Sequence, residues 1–220
     1  YEGEWKDDKI KGYGKYKIIG ETLDDAAGEA FDKVARMLEL KYPGGPEISA
    51  LAEKLQNTNS KSQTNSKFQI PNSKLQIKLP RPMINSKDYN FSFSGLKTAV
   101  LYLLQDRPEL KRKKLGKALV AREFQGAVVD VLVSKTIRAA KEFKAKTVLL
   151  GGGVAANKLL RQRLGEEIKA NIPNSKFYTP DLSLTGDNAL MIALAAYLRK
   201  NKKTKNLKNI SANANLRLVK

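Results

Sequence analysis

The chain contains no cysteine and no histidine. Without cysteine it has neither a disulfide framework nor a thiolate metal site, and a reducing, cytoplasmic setting is the expectation. Without histidine it lacks the commonest metal ligand and the usual proton shuttle at neutral pH. Long apolar runs are missing as well. The longest, Leu190 to Leu198, falls well short of the ~20 residues that span a bilayer. The opening residues YEGEWKDDKIKGYG have no apolar stretch of the signal-peptide kind, so no membrane role is expected.

Acid is the scarcer charge: 22 Asp and Glu stand against 41 Lys and Arg, for a formal charge of +19. The excess is unevenly placed. Residues 55–87 carry six Lys or Arg and residues 199–220 carry eight, neither stretch with any acid. Such segments attract polyanions by counterion release without conferring specificity. A further cluster, Lys111, Arg112, Lys113, Lys114 and Lys117, lies beside a predicted long helix. It reads either as a solvated surface or as a contact for a phosphate backbone.

A hydrophobic content of 41% over 220 residues is enough to bury a real core. Lys15 to Ile19 reads as a short strand. A helix is expected from about Leu23 to Leu40, with Thr22 as its cap and Tyr42-Pro43-Gly44-Gly45-Pro46 as its terminating turn. On that helix Asp25, Glu29, Asp32 and Arg36 fall within roughly 60° of one another, while Ala27, Phe31, Val34 and Leu38 form the opposite, core-facing stripe. A second helix is expected over Glu47–Leu55. Three near-copies, NSKSQT, NSKFQIP and NSKLQIK, then mark Gln56 to Lys78 as a disordered low-complexity insertion. They hold too few apolar residues to build a core and too few copies to stack as a solenoid.

Alternating Phe91 and Phe93 suggest a strand turning into a helix whose stripe is Leu96, Val100, Leu103 and Leu104, with Ser94 as its cap. A long helix is expected from Leu115 to Phe143, with Phe124, Val128, Val131 and Leu132 buried. Thr147–Leu150 reads as a strand that ends in Gly151-Gly152-Gly153, with a helix starting near Ala155. Phe177-Tyr178 reads as a further strand, and Asp187–Lys200 as the last helix. Strand, glycine turn and helix in that order describe an α/β fold that binds a ligand at the strand's carboxyl end. The expected organisation is an unplaced segment 1–14, an α/β body 15–200 interrupted at 56–78, and a loose basic tail 201–220.

Several residues admit two readings. The triple glycine either lets a phosphate approach the backbone and the next helix's free N–H groups, or is an ordinary tight βα turn. Asn157 adds a side-chain amide there for a sugar hydroxyl or a base edge. Asp187 is either a helix cap or a ligand at a loop's end. Asp25, Glu29 and Asp32 are either a solvated face with an Asp32–Arg36 pair or a binding face. Gly28 inside the expected helix costs ~1 kcal/mol against Ala and points to close packing.

Taken together and in order, GETLDDAAGEAFDKVARMLELKYPGGP, LPRPM, FSFSGLKTAV, FQGAVVDVLV, LLGGGVAANKLLRQRL and TGDNALMIA resemble the tRNA N6-adenosine threonylcarbamoyltransferase family, the bacterial TsaD proteins. The resemblance covers most of residues 15–200. It implies the C-terminal portion of an actin/sugar-kinase/Hsp70-like (ASKHA) α/β fold, incomplete at its N-terminus. It implies an acyltransferase reaction in which threonylcarbamoyl-adenylate gives its threonylcarbamoyl group to N6 of the adenosine beside the anticodon in tRNA. By motif, Asp32, Gly45 and Asn157 would contact the adenylate, with Gly151, Gly152 and Gly153 near its phosphate and Asp25 and Glu29 as a second tier. Asp187 would be the one metal ligand of this half, for a divalent ion, Fe2+ or Zn2+. The implied partners are tRNA, other subunits of the threonylcarbamoyladenosine synthesis complex, and a separate N-terminal half.

The chain departs from the pattern by carrying Ser49 where many relatives have an acid, and by having neither the family's paired-histidine motif nor its Ser-Gly-Gly-His-Thr loop. It therefore reads as inactive alone. The alternatives are a noncatalytic fragment or scaffold that binds nucleotide or partner subunits, and a sugar-kinase-like ATPase. The older metallo-endopeptidase classification of the family is disfavoured because a zinc protease needs ligands that are absent here.

Overall fold

The computed structural model describes residues 4–6, 9–11, 17–60 and 77–198. It divides into two units, residues 22–186 and residues 1–21 together with 187–220. In the latter, β1 (Glu4–Lys6) and β2 (Lys9–Lys11) form an antiparallel hairpin with Trp5 opposite Ile10. Of the strand expected over 15–19, residues 17–19 carry no regular structure and the rest lies outside the described residues.

The larger unit begins with α1 (Ala27–Met37). Phe31, Val34 and Leu38 are buried as the stripe required, with Ala27 packed against the same core. The helix starts four residues later than its periodicity suggested, because the preceding residues are used elsewhere. Thr22 donates to the Asp25 carbonyl (2.9 Å) instead of capping. Asp24 accepts from the backbone N–H of Phe93 (2.8 Å) and Ser94 (3.1 Å), and from the Ser92 (2.6 Å) and Ser94 (2.5 Å) hydroxyls.

Asp24 thereby caps α3 (Ser94–Asp106) from 70 residues away. The expected strand at Phe91–Phe93 reduces to one isolated bridge, Thr22 to Phe91, with the two Phe rings stacked. Ser94 does not cap its own helix but hands its hydroxyl proton to Asp24.

The Pro-Gly-Gly segment does more than end α1, since its glycines form the first turn of α2 (Gly44–Ser60). That helix runs five residues into the tract expected to be disordered; residues 61–76 of that tract lie outside the described residues, as does the tail 201–220. A short α4 (Pro108–Arg112) leads into α5 (Lys114–Glu142), whose limits match the expectation within a residue. One side of α5 packs on α1, α2 and α3, where Phe31 meets Phe124 edge to face at 5.1 Å. Its other side, Val129, Val133 and Ile137, packs on α6 (Lys158–Asn171) through Leu160, Leu164 and Ile168. Burial on both sides explains why α5 is apolar around most of its circumference.

Loops are tied to α5 by charge. Arg81 of the LPRP segment bonds Glu123 and Asp130, and Lys135, only 1% exposed, donates to the Ser86 hydroxyl (2.7 Å) and the Asn90 carbonyl. β3 (Thr147–Leu149) and β4 (Lys176–Tyr178) pair in parallel across the α6 crossover, Val148 opposite Phe177. The fold of this unit is thus α/β with a small parallel sheet. The last element, α7 (Ala189–Leu198), belongs to the other unit and is shorter than the expected Asp187–Lys200 helix, whose residues 199 and 200 lie outside the described ones. No helix among the described residues is long and apolar enough to cross a membrane.

Candidate functional site

Within residues 22–186, the first turns of α1 and α2 face the Gly151–Gly153 bend across a cleft of about 890 Å³. Gly28, Phe31 and Asp32 line it from α1, and Gly45, Pro46, Ser49 and Glu53 from α2. Gly151, Gly152, Gly153, Val154, Asn157 and Lys158 close the far side, with Thr185 and Gly186 at one end. The cleft therefore gathers residues from four stretches of sequence that lie far apart in the chain.

Asp32 and the two glycines form one device. The backbone N–H of Gly44 donates to Asp32 Oδ1 at 2.7 Å, tying the start of α2 to the middle of α1. This bond takes the place of the expected Asp32–Arg36 pair, which is not among the ion pairs of the described residues. Gly44 can sit there only because it lacks a side chain: a Cβ would lie 2.5 Å from the Ala35 Cβ and 2.8 Å from the Asp32 Cα. Gly45 is the reverse case. A Cβ there would meet nothing within 4 Å, so its bare backbone opens onto the cleft. Gly28 requires no special room, since its Cβ would make an ordinary 3.5 Å contact with Val154.

Beyond β3, Gly152 adopts φ +81°, a left-handed conformation that favours glycine. A 3-10 turn, Gly153–Ala156, follows it, and α6 begins only at Lys158. The helix expected near Ala155 is displaced because Asn157 takes the cap position, its Oδ1 accepting from the Leu160 N–H at 2.9 Å. The Asn157 amide donates to Gln125 Oε1 (2.8 Å) and to Ser49 Oγ (3.1 Å), while the Ser49 hydroxyl also donates to Gln125 (2.8 Å). Gln125 and Asn157 are buried, so this knot rigidly joins α2, α5 and α6 behind the cleft. Sequence reasoning missed Gln125. The signal available was one amide set in an otherwise apolar run of α5.

Asp25 and Glu29 do not line the cleft. Asp25 precedes α1, bonded to Lys33 (2.6 Å) with Lys97 at 3.2 Å, and Glu29 pairs with Lys33 at 2.7 Å. The Lys33 hydrogen bond, helped by Lys97 and opposed by burial, holds the Asp25 carboxyl below the usual carboxylate range. Asp187 belongs to the other unit, where the cap of α7 falls instead to Asn188, whose Oδ1 accepts from the Met191 N–H at 3.0 Å. No three His, Cys, Asp or Glu side chains among the described residues are grouped to hold a metal ion. Asp187 is a single exposed carboxylate, and a zinc site takes at least three protein donors.

The model of the TsaD family, described as tRNA N6-adenosine threonylcarbamoyltransferase, matches residues 9–194. Curated relatives carry the same description. The one from Thermosipho africanus is 47% identical over 191 residues, covering 86% of this chain and 50% of its own length. The one from Thermosipho melanesiensis is 49% identical over 183 residues, covering 83% and 49%. A third, from Lactobacillus acidophilus, is 46% identical over 185 residues, covering 83% and 47%. The chain thus spans about half the length of these relatives, and over that span it belongs to the tRNA N6-adenosine threonylcarbamoyltransferase family.

Proposed function

We propose that this chain supplies the adenylate-binding part of an enzyme that moves a threonylcarbamoyl group from threonylcarbamoyl-adenylate to N6 of the adenosine next to the anticodon in tRNA. The observation that carries the reading is the single cleft shared by Asp32, Gly45, the Gly151–Gly153 bend and Asn157. Asp32 spends Oδ1 on Gly44, leaving Oδ2 to accept from a ligand hydroxyl. Gly45 leaves room for the ligand to lie against the backbone. None of the N–H groups of Gly151, Gly152 and Gly153 donates to another residue among the described ones. They suit the phosphate of an adenylate, next to the start of α6.

In the reaction, the adenosine amine attacks the carbamoyl carbon. A C–N bond forms, the bond from that carbon to the phosphate oxygen breaks, AMP leaves, and the amine loses a proton. The contribution of this chain is orientation. The Ser49–Gln125–Asn157 knot fixes the wall against which the donor lies, and fixed geometry of this kind lowers the barrier by removing orientational freedom beforehand. The metal that the family resemblance implies finds no donor set among the described residues. The further proposal is that these 220 residues bind the adenylate but transfer slowly by themselves, the remaining groups coming from outside them.

Calorimetric titration with a non-hydrolysable threonylcarbamoyl-adenylate analogue tests the reading. Binding is expected, and Gly45→Val, which meets open space, should abolish it without changing thermal unfolding. Unchanged binding by Gly45→Val would remove the cleft from consideration. Threonylcarbamoyl transfer to tRNA by these metal-supplied residues alone, at the rate of a full-length relative, would refute the dependence on groups outside them.

A further inference from the structure

A second, smaller groove of about 350 Å³ lies on the face of α2 next to the cleft. Lys54, Arg112, Lys114 and Lys117 line it against a single carboxylate, Glu47. We propose that this groove seats the phosphate backbone of the RNA whose adenosine reacts in the cleft. The identity of that RNA rests on the transferase reading above. The groove itself rests on the following geometry.

The basic residues stand on a rigid corner, unlike those of a loose segment. Gly116 packs so tightly on α4 that a Cβ would lie 2.4 Å from the Leu110 carbonyl oxygen, and Leu110 is itself buried. Glu39, just past the end of α1, pairs with both Lys111 (3.2 Å) and Lys117 (3.0 Å) and pins the corner to that helix. Arg112 and Lys114 are exposed and have no acidic partner among the described residues. Lys113 and Lys114 also open α5, whose first turn holds no acid. Cations at a helix N-terminus oppose the helix dipole, so the arrangement favours an anion from outside.

The position of the groove selects the occupant. Ala50 of α2 lines both cavities, with Ser49 and Glu53 turned to the cleft and Leu51 and Lys54 to the groove. The two therefore adjoin at Ala50, on neighbouring faces of α2. A few nucleotides are enough to pass from one face of a helix ~10 Å in diameter to the next. A nucleic acid with one adenosine in the cleft would bring its neighbouring phosphates to Arg112 and Lys114.

The test is fluorescence anisotropy of a labelled anticodon stem-loop RNA with the full chain, over about 50 to 200 mM salt. The variant is Arg112→Glu with Lys114→Glu, and the matched control is Lys202→Glu with Lys203→Glu in the basic tail. Lys114→Glu at the start of α5 agrees with the helix dipole while Arg112→Glu at the end of the short α4 opposes it, so a melting curve of the groove variant matching the parent's accompanies the binding measurement. The groove variant should bind about tenfold more weakly and lower the slope of log affinity against log salt by about 1 to 2, while the tail variant changes affinity less than about twofold. Equal losses in the two variants would mean diffuse attraction and overturn the proposal. Binding of poly-glutamate as tight as that of RNA, with the same loss in the groove variant, would assign the groove to an acidic protein and overturn it too. Adenylate binding by the groove variant is titrated separately, so failure of the groove and failure of the cleft reading give different results.

Discussion

Gly44 sits where a methyl group would strike the backbone of α1 at 2.8 Å and 2.9 Å, so relief requires one helix to move away from the other. Gly44→Ala should cost about 1 to 3 kcal/mol, as overpacking generally does, and lower the melting temperature in calorimetry by several degrees. Gly28→Ala, with a 3.5 Å contact, should be neutral or stabilise by up to ~1 kcal/mol. A melting temperature that fell equally in both variants would contradict this account of the α1–α2 contact.

Asp24 offers a prediction in pH. Burial alone would raise its carboxyl, but the Ser92 and Ser94 hydroxyls and the Phe93 and Ser94 N–H groups outweigh burial and hold it far below the usual carboxylate range. A depressed folded-state pKa contributes stability that is complete above the unfolded value near ~3.9 and is lost as pH falls through the folded one. Asp24→Asn should therefore be less stable than the parent at neutral pH, with the difference narrowing below about pH 4. Denaturant midpoints measured from neutral pH downward would reveal a constant gap if the carboxylate has no such role.

At the level of whole elements, α5 was the most legible in sequence and α1 the least well bounded. The α5 run passes through 29 residues without a proline, its two glycines notwithstanding, so no tertiary contact is needed to mark its limits. The start of α1 depends on Asp24 and Thr22, whose side chains bond across a long loop or to a nearby carbonyl. Short polar side chains can serve a distant helix as well as their own, and the letters alone do not say which. The Asn157 cap and Gln125 raise the same ambiguity. Gln125→Leu should leave the Asn157 amide and the Ser49 hydroxyl each short of an acceptor and cost about 1 to 3 kcal/mol. Faster hydrogen exchange at the start of α6 is the accompanying expectation, and unchanged protection there would dissociate Gln125 from that cap.

For the molecule as a whole, the sheet of the larger unit is covered on one side and, among the described residues, bare on the other. Val148 and Phe177 face the α5–α6 core, while Leu149 (75% exposed) and Tyr178 (52% exposed) face outward from a sheet that has two strands among the described residues. In the other unit α7 exposes Leu190, Ile192, Leu194 and Leu198. Bare apolar surface and open strand edges promote association. Leu149→Ser with Tyr178→Ser should shift sedimentation velocity profiles toward the monomer. An unchanged distribution would show that this sheet face does not drive association.

Periodicity was enough to assign the longer helices, the α/β class and the buried stripes, though not the short α4, because apolar spacing reports directly on which face meets a core. Of the residues that the ordered motifs named, Asp32, Gly45, Gly151, Gly152, Gly153 and Asn157 line the cleft, while Asp25 and Glu29 do not. Neither periodicity nor motif disclosed that Gly44 is the packing glycine and Gly45 the open one, that Asp24 caps a helix 70 residues away, or that a basic groove adjoins the cleft on α2. Those facts depend on distances between segments remote in the chain, and such distances exist only once the core has closed around α5.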